Sequence, residues 1–157
     1  PKPHSPFHWE AQNTMEEYIR KVNLRRETIT AKNVVYNWHD PQTSYIEATL
    51  SRGDRRMGRV IEEVWRSGGR LEAWSDYFRF ERWMNAFEKC GVDPGFYAHR
   101  LRDKEEVMPW DCVNVGVRRE HLWHEREQCY RSELSPDCRV QCSACGAGCL
   151  TGGRCDE

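Results

Sequence analysis

Apolar positions in this chain fall into short helical rhythms divided by proline, glycine and polar breaks. Met15, Tyr18, Ile19 and Val22 recur at the spacing of one helix face. Asn13 or Thr14 supplies an N-cap ahead of them, and Glu16 and Glu17 occupy a first turn whose dipole favours anions. This pattern predicts a helix to about Ala31. The stretch "NVVYNWH" is β-branched and aromatic, with Val34, Tyr36 and Trp38 on one side, and predicts a short strand. Asp40 before Pro41 is a cap and first-turn signature for a helix ending short of Gly53. The cleanest apolar stripe follows: Met57, Val60, Ile61, Val64 and Trp65, opposite Arg55, Arg56, Arg59, Glu62, Glu63 and Arg66. Gly68 and Gly69 stop it. Ser75 can cap a further helix that buries Phe80, Trp83, Met84 and Phe87 and ends near Gly91. One helical turn is expected around Phe96, and a last helix from about Arg118 to Arg131.

The ends of the chain follow other rules. Pro1, Pro3 and Pro6 fix their own backbone and bias their predecessors away from helix, so the opening reads as extended. After Pro136 the residues turn to Cys, Gly, Ser and Ala, too small and polar for a core of their own. The expected fold is mainly α: a small helical domain with one or two short strands near its start and a cysteine-rich metal-binding tail. The expected layout is an extended segment over 1–12, a helical domain over 13–134 and the tail over 135–157.

Composition narrows the classes of function. The chain has 157 residues, 38% of them hydrophobic and 31% charged, and no apolar run approaches the roughly 20 residues of a membrane-spanning helix. A net charge of −1 gives no global pull toward nucleic acid or anionic lipid. The first residues include neither a methionine nor an export-signal pattern, so the chain reads as a cytoplasmic piece of something longer.

Chemistry concentrates in the tail. Cys138, Cys142, Cys145 and Cys149 are spaced C-x3-C-x2-C-x3-C, with Cys155 beyond them. Thiolates are soft ligands for zinc or iron–sulfur clusters, and a reducing compartment disfavours disulfides. Gly146 and Gly148 supply the backbone freedom that a loop around an ion needs. "CSACGAG" resembles the turn in which paired cysteines hold a metal while backbone N–H groups point at sulfur. A zinc site and a four-iron cluster both remain open, with unliganded thiols or disulfides as the plainer readings. Cys90, Cys112 and Cys129 lie in or beside helical stretches and read as small core residues.

The motifs "PKPHSPFHWEAQ", "HDPQTSYIEATLSRGDRRMGRVIEEVW", "AWSDYF", "MPWDCVNVGV" and "SPDCRVQCSACGA", in this order, resemble one group of radical S-adenosylmethionine proteins. Members of that group carry an N-terminal cobalamin-binding-like domain, then a radical barrel, then a region like this chain. The resemblance implies that S-adenosylmethionine, the catalytic cluster and any cobalamin belong to domains upstream of Pro1, and that this segment alone is not catalytic. The first three tail cysteines share the C-x3-C-x2-C spacing of the catalytic cluster. However, Ala144 stands where those enzymes usually place an aromatic, so an auxiliary site is implied instead. The partners implied are the upstream barrel and, by analogy with related enzymes, an RNA or ribosomal-protein substrate. The alternative is a non-catalytic, zinc-stabilised helical module that binds RNA or protein.

A second constellation is His39, Arg52, Asp54, Arg55 and Arg56, expected to gather around two helix ends as a substrate or anion site. The plainer reading is capping by the aspartates and arginines on a solvated face. His4 and His8 read as polar lining of a barrel rim. His121 and His124, beside the tail, read as surface histidines or members of a mixed Cys/His site.

Overall fold

The computed structural model describes residues 1–148 and Gly152. It is mainly α, with six helices and no strand among the described residues. Contacts divide the chain into two compact units: residues 11–100, and residues 1–10 together with those from 101 onward.

The unit of residues 11–100 holds five helices. Helix α1 (Met15–Thr28) starts at a full capping box: Glu17 N–H donates to Thr14 Oγ1 at 3.3 Å, and Thr14 N–H donates to the Glu17 carboxylate at 3.1 Å. It ends short of Ala31, where Ile29 turns extended within the β-branched run Thr28-Ile29-Thr30. The expected strand over "NVVYNWH" does not form. Val34 and Val35 are exposed, and no strand among the described residues lies alongside to complete a ladder, without which an extended segment stays unpaired. Its alternation survives only as Tyr36 stacked on Trp38, centroids 5.6 Å apart.

Helix α2 (Pro41–Ser51) is capped by Asp40, whose carboxylate accepts from Thr43 N–H at 2.7 Å. Helix α3 (Met57–Arg66) buries Met57, Val60 and Val64 as the stripe predicts. Helix α4 (Phe80–Lys89) buries Trp83, Ala86 and Phe87, but Ser75 does not cap it. Trp74 instead opens a separate turn, its carbonyl accepting from Tyr77 and Phe78 N–H at 2.9 Å. Glu72 orders the approach, accepting from Arg79 N–H at 3.1 Å and from the Trp83 indole at 3.2 Å, and pairing with Arg82. Helix α5 (Pro94–Ala98) is capped by Asp93. Tyr45, Ile46, Ala48, Met57, Val60, Val64, Trp83, Phe87 and Tyr97 make one core.

In the other unit the opening residues fold back as turns: His8 N–H donates to Ser5 C=O and Glu10 N–H to Phe7 C=O, both at 3.0 Å. The extended reading of 1–12 therefore gives way over residues 5–10, because these local bonds bury a tryptophan. Trp9 has no exposed surface and packs edge-on against Trp123 of helix α6 (Arg119–Tyr130), centroids 5.0 Å apart. Met108, Trp110 and Leu122 complete this core. Arg102 N–H donates to Trp9 C=O at 2.8 Å, and Glu10 pairs with Arg126. Residues 101–134, expected to share a domain with the preceding helices, are thus grouped with the first ten residues.

Candidate functional site

The cysteine turn sits on the start of α6. Arg118, the residue before the helix, has no side-chain cap of its own, and its N–H donates to Cys145 C=O at 2.8 Å. Within the turn, Ala144 N–H donates to Cys142 Sγ at 3.4 Å. Ala144 reaches that position with φ +51°, the left-handed region that disfavours a side chain. Gly146 follows with φ +97°, and a Cβ there would lie 2.5 Å from the Gly116 carbonyl oxygen and 3.0 Å from Arg118 Cγ. Gly116 is itself held at φ +78° by its N–H bond to Asn114 Oδ1 at 2.8 Å. Three backbone constraints therefore meet where the sequence places C-x2-C-G.

An N–H aimed at sulfur stabilises the charged thiolate that a metal requires, so the Cys142–Cys145 half of the site fits a metal-binding turn. Cys138 and Cys142 are exposed and Cys145 is half-buried. Cys149 and Cys155 lie outside the described residues. Among the described residues no three His, Cys, Asp or Glu side chains form a metal-binding group. Cys90 packs at the edge of the larger core, as expected. Cys112 and Cys129 are exposed rather than buried, Cys112 Sγ lying 3.6 Å from Pro109 C=O. His121 lies 3.9 Å from Glu125 on the same helix, and His124 is exposed.

The second constellation assembles in part. Asp54 accepts from Arg56 N–H at 2.9 Å, from the Arg56 guanidinium at 2.7–3.0 Å and from Tyr97 O–H at 3.0 Å. The Arg56 bonds, chiefly those of its side chain, hold the Asp54 carboxyl well below the usual carboxylate range. Burial and the neighbouring carboxylate push the Tyr97 phenol up. Arg52 departs from the expectation of an arginine on a solvated face: it is fully buried and donates to Ala98 C=O. A buried guanidinium bonded to backbone fastens α2 to the end of α5 and offers no clamp to a substrate. Arg55 is exposed. His39 does not join the group: it precedes α2, whereas Arg52 caps the far end, roughly 16 Å away along eleven residues. Its carbonyl accepts from Tyr18 O–H at 3.0 Å. The sequence reading missed Tyr97, for which the Asp93-Pro94 cap beside "GFYA" was the available signal.

His8 is buried rather than lining a rim. Neither ring nitrogen has a hydrogen-bond partner among the described residues, nor do the indole nitrogens of Trp9 and Trp110. Burial first, then the Arg119 cation, lowers its pKa to about 4.

No known family profile matches this chain, and no solved structure matches it. It is similar to the probable acetate kinase EutP of Salmonella typhimurium and to that of Salmonella typhi, 30% identical in each case over 74 residues. That stretch is 45% of this chain and 46% of those proteins, so the chain spans about half the length of the curated relatives it matches.

Proposed function

We propose that this chain is the C-terminal region of a radical S-adenosylmethionine enzyme and carries an auxiliary metal centre on Cys138, Cys142, Cys145 and Cys149. The observation that carries the metal reading is the turn in which Ala144 N–H faces Cys142 Sγ, with left-handed backbone at Ala144 and Gly146. Ordered motifs in the sequence support the enzyme reading. Four thiolates leave a four-iron cluster no open iron, which suits a structural or electron-relay role rather than cleavage of S-adenosylmethionine. Four thiolates also suit zinc, and the same turn then belongs to the alternative, a non-catalytic module for RNA or protein. Under the first reading the reaction occurs in the upstream barrel, and this region helps to hold a macromolecular substrate such as a translation component. In that role Asp54, Arg55 and Arg56 are the groups nearest the surface, while Arg52 acts structurally. A likeness over less than half of each chain leaves the kinase name with the Salmonella proteins.

Purification without oxygen, followed by a visible spectrum and metal analysis, tests the proposal. Brown protein with iron and sulfide selects the cluster, and colourless protein with one zinc selects the module. Folded protein that takes up neither metal, with stability unchanged by Cys142→Ser, overturns both. Cleavage of S-adenosylmethionine by this chain alone would remove the auxiliary role.

A further inference from the structure

The contact between the cysteine turn and the start of α6 joins two pieces of chain nearly thirty residues apart in sequence. It uses one hydrogen bond, from Arg118 N–H to Cys145 C=O at 2.8 Å, and one close backbone approach, at Gly146 against Gly116 C=O. Neither belongs to the cysteines' own spacing, and neither involves sulfur. We infer that Gly116–Arg118 is a seat that shapes the Cys142–Cys145 pair before any metal arrives, and that Gly146 is the positioning residue that lets the turn reach it.

On the α6 side, the first N–H groups of a helix have no partner within the helix, and an uncapped start is stabilised by an acceptor from elsewhere. Arg118 offers no side-chain cap, and the Cys145 carbonyl supplies that acceptor to its N–H. On the turn side, the 2.5 Å from the position of a Gly146 Cβ to the Gly116 oxygen is too short for any real side chain. Even alanine must push the turn off its seat, or the seat off the helix. The neighbouring atoms are backbone and the Arg118 side-chain root, which cannot swing aside as a long side chain would. Gly116 is pinned in turn by Asn114, so the strain has nowhere inexpensive to go.

The consequence is a division of labour among the ligands. The seat holds Cys142 and Cys145 in a turn with an N–H already aimed at sulfur. Metal binding then finds two of its thiolates already placed, and less ordering entropy opposes it. Loss of the seat weakens metal binding although every thiolate is still present. This inference deepens the metal reading above and rests on it for its second half. Its first half, the seat in the metal-free chain, stands without any metal.

The test uses the full chain and two variants, Gly146→Ala and Gly152→Ala. Gly152 also has a left-handed φ, +75°, but a Cβ there meets nothing within 4 Å. Gly152→Ala therefore carries the conformational penalty of the substitution without the collision. Amide hydrogen exchange is measured on metal-free, reduced protein, and cobalt(II) and zinc(II) are then titrated into each. Arg118 N–H is expected to be protected in the parent chain and in Gly152→Ala. In Gly146→Ala it is expected to exchange freely while Leu122 N–H, inside α6, stays protected. Affinity for both ions is expected to fall tenfold or more in Gly146→Ala and less than threefold in Gly152→Ala. An unprotected Arg118 N–H in the metal-free parent chain overturns the seat. Equal metal affinity in Gly146→Ala and the parent overturns the positioning role. Failure of the parent to bind either ion, with Arg118 protected, overturns the metal reading and the positioning role and leaves the seat standing.

Discussion

Acidification is expected to destabilise the unit of residues 1–10 and 101 onward through His8. The imidazole is buried, its ring lies 3.7 Å from that of Trp9 and 5.7 Å from that of Trp110, and no acceptor among the described residues meets either nitrogen. Burial, then Arg119, His4 and Arg102, disfavour its charged form, and only Asp111 opposes them. The pKa therefore falls from 6.5 to about 4 on folding. Above pH 6.5 the ring is neutral in both states and its contribution to stability is complete. Below that, the unfolded chain takes up the proton first, so stability falls with pH until the folded ring also titrates near 4. At ~1.4 kcal/mol per tenfold, this window is worth roughly 3 kcal/mol, a large part of the stability of a small domain. The assay is urea unfolding at pH 7.5, 6.5, 5.5 and 4.5, followed by tryptophan fluorescence, on the parent chain and on His8→Phe. Carboxylates also titrate toward pH 4, and the difference between the two proteins removes them. Phe fills the ring volume without two unsatisfied nitrogens, so His8→Phe is expected to match or exceed the parent at pH 7.5 and to lose less on acidification. Parallel pH profiles for the two proteins would refute the reasoning.

Other substitutions separate structural from surface arginines. Arg52→Ala is expected to destabilise the unit of residues 11–100 by about 2–4 kcal/mol, because it empties a buried site and leaves the Ala98 carbonyl with only its bond from Gln12 N–H at 2.8 Å among the described residues. Arg55→Ala is expected to change stability by less than about 0.5 kcal/mol in the same denaturation experiment. Arg56→Ala is expected to raise the Asp54 pKa toward its ordinary value, readable as a shifted carboxyl titration by NMR. Thr14→Ala removes half of the α1 capping box and is expected to cost about 1 kcal/mol by thermal unfolding.

Helices were legible in the sequence where an apolar stripe and a cap agreed. Asp40-Pro41 marked the start of α2, and Met57, Val60 and Val64 marked the face that α3 buries. Legibility failed where a local signal lacked a tertiary partner. Val34, Tyr36 and Trp38 have the alternation of a strand, but pairing is a property of two segments and periodicity reports on only one. Ser75 is a good cap residue in a place where Glu72 already organises the chain. The candidate sites suffered the same way. The spacing of Cys142 and Cys145 marks a turn, yet Gly116, its seat, lies far upstream and carries no signal beyond being a glycine. Arg52 reads as one more charge in a basic run, and only the burial of its guanidinium against Ala98 distinguishes it from Arg55.

The chain order of the Trp9 core has a consequence for biosynthesis. Trp9 is made before the ninety residues of the other unit, and Met108, Trp110 and Leu122, which pack with it, are made after them. At a ribosomal rate of ~5–20 residues per second, that indole waits about 5–20 s for its neighbours. During the wait the intervening helices have all the residues of their own core, while His8 and Trp9 lack the neighbours that bury them in the folded unit. The nascent chain thus has all of the unit of residues 11–100 before it can close the other, and residues 1–10 find their partners only after that intervening unit has been made.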